Sequence, residues 1–179
     1  MNTTQHYING SWVDSKGGKP FDVLDPSTEE VAATITLGSE EDTNNAVAAA
    51  KAAFDSWSST SKEKRIELLT SLLEKYQARS DEMGKAISIE MGAPIDMSLT
   101  SQAGSGLGHL KTAIRELKSF EFERGLNDRS PNDRIHYEPI GVCALITPWN
   151  WPMNQVILKV AFSLAAGCTC VLKLSLIHI

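Results

Sequence analysis

Two residues in this chain are of types, and in places, that can do chemistry. Asn150 sits in Pro148-Trp149-Asn150-Trp151-Pro152, bracketed by two prolines and two tryptophans, and Lys173 closes a later apolar run. A side-chain amide fixed in a turn that excludes water can donate to an oxyanion as it develops, and one such donor is worth about 3 kcal/mol of barrier. Asparagine is also an ordinary residue of Asx-type turns. That reading explains the asparagine and leaves two tryptophans beside it unexplained, so spacing alone keeps both open. Lys173 by itself is a solvated strand end. Its interest lies in its distance along the chain from the turn, which one crossover would close.

The elements around these residues give them a position. Residues 141–146 form an apolar strand-like run, 153–166 a helical run and 169–173 a second apolar run. Strand, tight turn, helix and strand make one βαβ unit. In open α/β sheets ligands sit at the carboxyl ends of strands. Asn150 follows the first strand's carboxyl end, and Lys173 ends the second on the same rim, where cofactor hydroxyls could meet its ammonium.

Upstream, residues 6–14 read as a hairpin around Asn9-Gly10, the favoured type I′ pair because both positions need positive φ. Residues 21–24 and 31–35 read as strands around the turn at Asp25-Pro26-Ser27-Thr28. From Ser39 the period changes. Ser39 with Asp42 makes an N-cap with an acidic first turn, followed by an apolar stripe of Ala46, Val47, Ala49, Ala50, Ala53, Phe54 and Trp57. Thr60 with Glu63 reads as a capping box for a second helix, whose Ile66, Leu69, Leu72, Leu73 and Tyr76 face the core. Ser80-Asp81-Glu82 restarts it, and Gly92 with Pro94 stops it. A further helix is expected over about 96–122, a polar, turn-rich stretch over 125–133, and an edge strand over 134–139, since Pro139 removes a ladder donor.

The composition of the 179 residues bounds the function classes. Hydrophobic residues make 42% and charged residues 22%, ordinary for a globular domain. A net charge of −5 offers no basic stripe to neutralise phosphates, which argues against nucleic-acid and anionic-membrane partners. The longest apolar stretch, residues 156–168, is broken by Lys159 and too short to span a bilayer. Three cysteines with no recognisable secretory signal predict a reducing, cytoplasmic setting and free thiols.

Several features invite a functional reading and are better explained otherwise. Gly104, Gly106 and Gly108 resemble a dinucleotide fingerprint, but the spacing is wrong and no strand precedes them; close helix packing explains them. His6, His109, His136 and His178 have no metal-ligand spacing, so no metal site is expected. Cys143, Cys168 and Cys170 read as small core hydrophobes. Glu40, Glu41 and Asp42 read as a helix N-terminus.

The stretch Glu138-Pro-Ile-Gly-Val-Cys-Ala-Leu-Ile-Thr-Pro-Trp-Asn-Trp-Pro152, followed by Leu164-Ala-Ala-Gly-Cys-Thr-Cys-Val-Leu-Lys173, resembles the aldehyde dehydrogenase superfamily. The family pattern is E-P-x-G-V, then P-W-N-x-P, then A-L-A-x-G-N-x-V-V-x-K-P-S-E. Tyr7-Ile-Asn-Gly-Ser-Trp12, the Asp25-Pro-Ser-Thr-Glu-Glu30 turn and Glu90-Met-Gly92 with Pro94 fit its earlier parts, so the likeness covers nearly the whole chain. It implies an α/β fold, the N-terminal part of the NAD(P)-binding domain. Residues 1–120 would be its hairpins and helices, 121–139 part of an oligomerisation hairpin, and 140–173 the first βαβ unit of an incomplete Rossmann-like parallel sheet.

The same resemblance implies the chemistry. Asn150 matches the oxyanion-hole asparagine, which stabilises the thiohemiacetal formed when a cysteine thiolate attacks an aldehyde. Ile146, Thr147, Pro148 and Trp149 match the turn lining NAD or NADP, and Lys173 matches the lysine on the adenosine ribose. The expected activity is oxidation of an aldehyde to a carboxylic acid through a thioester, in a homodimer or homotetramer. Two alternatives are a semialdehyde or acylating dehydrogenase of the same superfamily and a non-catalytic truncated oligomerisation module.

The sequence also departs from the family. The G-S-T-x-x-G stretch, the general-base glutamate and the nucleophilic cysteine are missing, and none of the three cysteines matches the nucleophile. The 179 residues alone are therefore expected to be inactive, and to aggregate through an unpaired sheet edge. After Lys173 the family continues Pro-Ser-Glu, whereas this chain reads Leu174-Ser-Leu-Ile-His-Ile179. The transposase end used in sequencing libraries, CTG TCT CTT ATA CAC ATC, encodes those six residues. Residues 174–179 are therefore expected to be an adaptor-derived tail, with natural truncation as the alternative; the nucleotide record decides.

Overall fold

The computed structural model describes residues 3–174. Of the six residues read as an adaptor-derived tail, 175–179 lie outside the described residues. Leu174 is the last residue of a strand.

Two antiparallel hairpins open the chain. β1 (Gln5–Ile8) pairs with β2 (Ser11–Asp14), and Asn9 and Gly10 take the positive φ values, 52° and 77°, that a type I′ turn demands. β3 (Pro20–Leu24) pairs with β4 (Val31–Thr36). Their loop is held by Asp25, whose carboxylate accepts from the Ser27 amide at 2.8 Å and the Ser27 hydroxyl at 2.6 Å.

α1 (Glu40–Ser58) begins with the expected cap. Ser39 Oγ accepts from the Asp42 amide, and the Asp42 carboxylate accepts from the Ser39 amide. Its apolar stripe is only partly covered; the one buried residue on α1 is Asp42. α2 (Lys62–Ala78) starts one residue later than the Thr60 capping box predicts. Ser61 is the N-cap, accepting from the Lys64 amide at 3.1 Å. Thr60 is drawn elsewhere, donating to the Trp57 carbonyl at 2.6 Å and accepting from Arg65 Nε at 3.1 Å. α3 (Ser80–Met91) ends as expected at Gly92, which is left-handed at φ 77°.

The next helical path is one course in three parts: α4 (Ile95–Met97), a π-helical turn over Ser98–Gln102, and α5 (Ala103–Ser119). It ends three residues before the expected Phe122. Phe120 takes an extended conformation instead, and its ring meets Phe122 and Tyr137 edge-on at 4.9 and 5.3 Å. The polar, turn-rich stretch expected over 125–133 is mostly strand. β5 (Glu123–Asn127) and β6 (Ser130–His136) form a hairpin, and the strand expected over 134–139 starts earlier and stops at His136. Every β5 residue is exposed, so no buried face imposes an alternation that the sequence could display.

The last unit is the βαβ that the sequence pattern describes. β7 (Val142–Thr147), α6 (Pro152–Ala165) and β8 (Thr169–Leu174) follow in order, and β7 and β8 pair in parallel. The fold is α/β, and among the described residues each sheet has two strands.

The core lies between α2, α5 and α6. Leu69, Leu110 and Ala161 are fully buried, with Ala113, Leu117 and Ile157 around them. Arg65 closes one end of this bundle. It is 5% exposed, donates to the Ser58 carbonyl at 2.7 Å and the Ala165 carbonyl at 3.4 Å, and lies 5.5 Å from the Phe122 ring centre. It thereby satisfies terminal carbonyls of α1 and α6 that helix geometry leaves unpaired. α1 and α6 sandwich the β7–β8 pair, and Thr169 Oγ1 donates to the Ala50 carbonyl of α1 at 2.8 Å. No helix among the described residues is long and apolar enough to cross a membrane.

Candidate active-site turn

The turn between β7 and α6 is built from both sides. Thr147, the last residue of β7, is 1% exposed and anchors the turn in the interior. Pro152 is the first residue of α6; its fixed φ suits a helix start, and its missing N–H is one that no helix partner would have met. The Lys159 ammonium, from the middle of α6, donates to the Ile146 carbonyl. That bond ties the helix to the strand end just before the turn.

Asn150 emerges from this frame exposed. Among the described residues no hydrogen bond ties its amide to the turn, so the Asx reading loses its physical basis here. Trp149 is 39% exposed and Trp151 half-buried, flanking the amide.

The parallel register places Ile146 opposite Lys173 and Thr147 opposite Leu174. Ile146 and Lys173, distant in sequence, thus share one level at the carboxyl ends of adjacent strands. Residues paired across a parallel ladder point to the same face, and alternation puts Lys173 on the face of Thr169, which contacts α1. Lys173 is exposed and donates to its neighbour's carbonyl, Leu174, at 3.1 Å. All six residues singled out from sequence lie on this rim or in the turn.

The cysteines stay apart from this chemistry. Cys143 and Cys170 are register partners within the sheet, and Cys168 is buried just before β8. Burial pushes the Cys170 thiol up, with Cys143 and Cys168 adding to the effect; a thiol held protonated is a poor nucleophile. Among the described residues no three His, Cys, Asp or Glu side chains are grouped to hold a metal. The glycines that resemble a dinucleotide fingerprint lie inside α5. Only Gly106 is a close approach, against the Tyr76 ring; Gly104 and Gly108 face open space, so packing explains one of the three.

Two contacts escape sequence reasoning. Lys159 stands out only as a charge interrupting an apolar helix, and that interruption was the available signal. His109 of α5 meets Asn154 in the first turn of α6, Nε2 to Oδ1 at 2.7 Å, although sequence suggests only a solvated or core-bordering histidine.

Comparison with known proteins places this geometry. Residues 12–177 match the profile of the aldehyde dehydrogenase family. A curated relative from a Pseudomonas species, 3-succinoylsemialdehyde-pyridine dehydrogenase, is 49% identical over 94% of this chain and 35% of its own. The crystal structure of an aldehyde dehydrogenase from Bartonella henselae superposes with a TM-score of 0.95 at 48% identity, covering 99% of this chain and 37% of that one. Aldehyde dehydrogenase C of Pseudomonas syringae, solved with NAD+ and octanal, gives 0.91 at 42% identity, covering 96% and 34%. The chain spans about 35% of the length of the curated relatives it matches.

Proposed function

This chain belongs to the aldehyde dehydrogenase family, and from that membership we propose that the protein it forms part of oxidises an aldehyde to a carboxylic acid with NAD or NADP. The observation that carries the proposal is the exposed Asn150 amide at the carboxyl end of β7, on the same rim as Lys173.

The residues of this rim fit a dinucleotide. Lys173 holds an exposed ammonium whose hydrogen bond runs to an adjacent strand-end carbonyl, so it can turn to ribose hydroxyls without breaking a buried contact. Ile146 lies beside it at the same level. In this reading Lys173 holds the ribose and the segment Ile146, Thr147, Pro148 and Trp149 forms the wall. Bound there, the dinucleotide supplies a nicotinamide ring that accepts hydride.

Asn150 acts on the substrate. As a nucleophile adds to the aldehyde carbon, the carbonyl oxygen takes up negative charge, and the Asn150 N–H donates to it. A donor already in place costs no reorganisation as the charge appears. Lys159 holds the strand end that carries the turn. The nucleophile and the base that activates water belong to parts of the protein beyond these residues. The exposed β5–β6 hairpin is the assembly element of a homodimer or homotetramer.

The test is Asn150→Ala in the full-length gene product. Loss of one such donor lowers kcat by about 10²–10³, read as NADH or NADPH formation with an aldehyde, while dinucleotide affinity by fluorescence titration is retained. An Asn150→Ala enzyme that keeps its full rate refutes the assignment.

A further inference from the structure

β7 and β8 each carry a cysteine in second place, and the parallel register sets Cys143 opposite Cys170. Partners across a parallel ladder point to one face. Thr169 bonds to α1, so alternation turns Cys170, and Cys143 with it, towards the face that α6 covers. Both thiols are half-buried, and Cys168, just before β8, is buried.

Packing explains a small apolar residue at each position. It does not call for sulfur on both strands at one level. Adjacent strands run about 4.8 Å apart, inside the range of about 4.4–6.8 Å that separates the Cα atoms of a disulfide. The Cβ atoms must close to about 3.8 Å, so the strands have to draw together slightly. The pair stands where that is easiest. One ladder level, Val142 with Thr169, lies beyond it, and there the ladder ends. Thr147, where the site turn begins, is four residues along β7, about 13 Å away. Among the described residues no metal-holding group forms around the three thiols, which leaves a bond between two of them.

We propose that Cys143 and Cys170 form a reversible disulfide under hydrogen peroxide, a covalent staple across the strand pair that supports the site turn. The Cys143 sulfur attacks one peroxide oxygen, the O–O bond breaks, and Cys143 becomes a sulfenic acid as water leaves. The Cys170 sulfur then displaces the sulfenic hydroxyl, which leaves as water with the Cys170 proton. Two thiols are oxidised to one disulfide, and one peroxide is reduced to two waters. Burial and the neighbouring Cys143 and Cys168 hold the Cys170 thiol protonated, which suits it to the second step and not the first. In a reducing compartment such a bond is a response to oxidant, reversed by thiol exchange. The inference is independent of the function proposed above.

The experiment treats the reduced, folded full-length gene product with hydrogen peroxide, blocks the remaining thiols by alkylation, and maps peptides by mass without reductant. The readout is the linkage itself, so oxidation of a nucleophilic cysteine elsewhere does not confuse it. The peptide carrying Cys143 is expected joined to the one carrying Cys168 and Cys170, two mass units below their sum, and released by dithiothreitol. Cys168→Ala should keep the link; Cys170→Val and Cys143→Ala should each abolish it. The bond closes a loop of about 28 residues, 143–170, so the oxidised wild type should melt several degrees above the reduced protein, and Cys170→Val should show no such gain. No linked peptide at a peroxide level that oxidises other thiols overturns the proposal, as does a link that survives Cys170→Val or forms only in urea. A linked protein that melts no higher than the reduced one overturns the staple.

Discussion

The bundle of α2, α5 and α6 and the rim of β7–β8 solve opposite problems with neighbouring stretches of chain. In the bundle Leu69 and Leu110 are fully buried, and the buried guanidinium of Arg65 is met by carbonyls, a hydroxyl and a ring. On the rim Ile146 is 59% exposed and Leu172 44% exposed, although parallel strands are normally covered on both faces. The bundle completes its contacts within these residues, and the rim does not. Asn150 and Lys173 both lie on the incomplete side. The proposed chemistry falls where the chain leaves groups open, on a support that leaves almost none.

The largest effects should therefore come from the bundle. Leu110→Ala removes a side chain with no exposure and is expected to cost about 3 kcal/mol of stability in urea unfolding of the full-length protein. Ile146→Ala, on the rim, should cost far less in the same assay. Equal costs would mean that the rim is as tightly packed as the core and would break the contrast. Gly167→Ala probes the Arg65 end. Gly167 has φ +82°, and an added Cβ would lie 2.6 Å from Arg65 Nη2. Backbone strain and a displaced guanidinium together should cost about 2 kcal/mol. A neutral result would show that Arg65 does not need its present position.

The same contrast governs what the sequence could disclose. The βαβ unit was legible because its strands and helix are partly buried, and burial writes a period into the residues. The cap at Ser39 and the stop at Gly92 were legible because each rests on local backbone chemistry. The β5–β6 hairpin was not, having no buried face to impose a pattern. Thr60 and Ser61 are adjacent residues of the same capping type, and only the competing pull of Trp57 and Arg65 on Thr60 decides between them. At the site, the residue type and strand-end position of Asn150 were visible in sequence. The level shared by Ile146 and Lys173 needed the register. His109 and Asn154 are 45 residues apart on different helices, so no local pattern could join them.

A finer probe is the contact between α2 and α5. The Tyr76 hydroxyl donates to the Ala103 carbonyl at 2.9 Å, and Gly106 packs against the same hydroxyl. Gly106→Ala should cost about 1–3 kcal/mol by overpacking. In a Tyr76→Phe background the added methyl loses the nearest of its obstacles, the hydroxyl, and keeps the ring carbon Cζ at 2.8 Å, so the two changes should cost less together than their sum. Strict additivity would show that the methyl is accommodated elsewhere. Burial also pushes the Tyr76 phenol up to about 12. The folded state thus holds that proton more tightly than the unfolded chain does, at about 10. The resulting stabilisation is full below about pH 10 and is lost as pH rises towards 12. Tyr76→Phe should flatten this alkaline decline in melting temperature.

The smallest effect belongs to the latch between the first hairpin and α1, outside both regions. Asp42 is 5% exposed, and its carboxylate accepts from the Ser15 hydroxyl, from the Ser39 amide at 2.9 Å, from the Lys16 amide at 2.8 Å and from the Ser39 hydroxyl at 3.0 Å. These donors, the Ser15 hydroxyl first, hold the carboxyl far below the usual carboxylate range. His6 Nε2 stands 3.9 Å away. The sign is the reverse of that for Tyr76. A folded-state value below the unfolded value of about 3.9 means that the stabilisation is full above about pH 4 and is lost as pH falls below it. Asp25, held low by Ser27, contributes in the same direction from an exposed turn, so the wild-type acid slope is not due to Asp42 alone. Asp42→Asn keeps one acceptor oxygen and removes the charge. It should lower the melting temperature near neutral pH and make its fall between about pH 5 and 3 shallower than in the wild type. Parallel slopes in the two proteins would show that the latch is held by packing of the hairpin on α1 and not by the charge of Asp42.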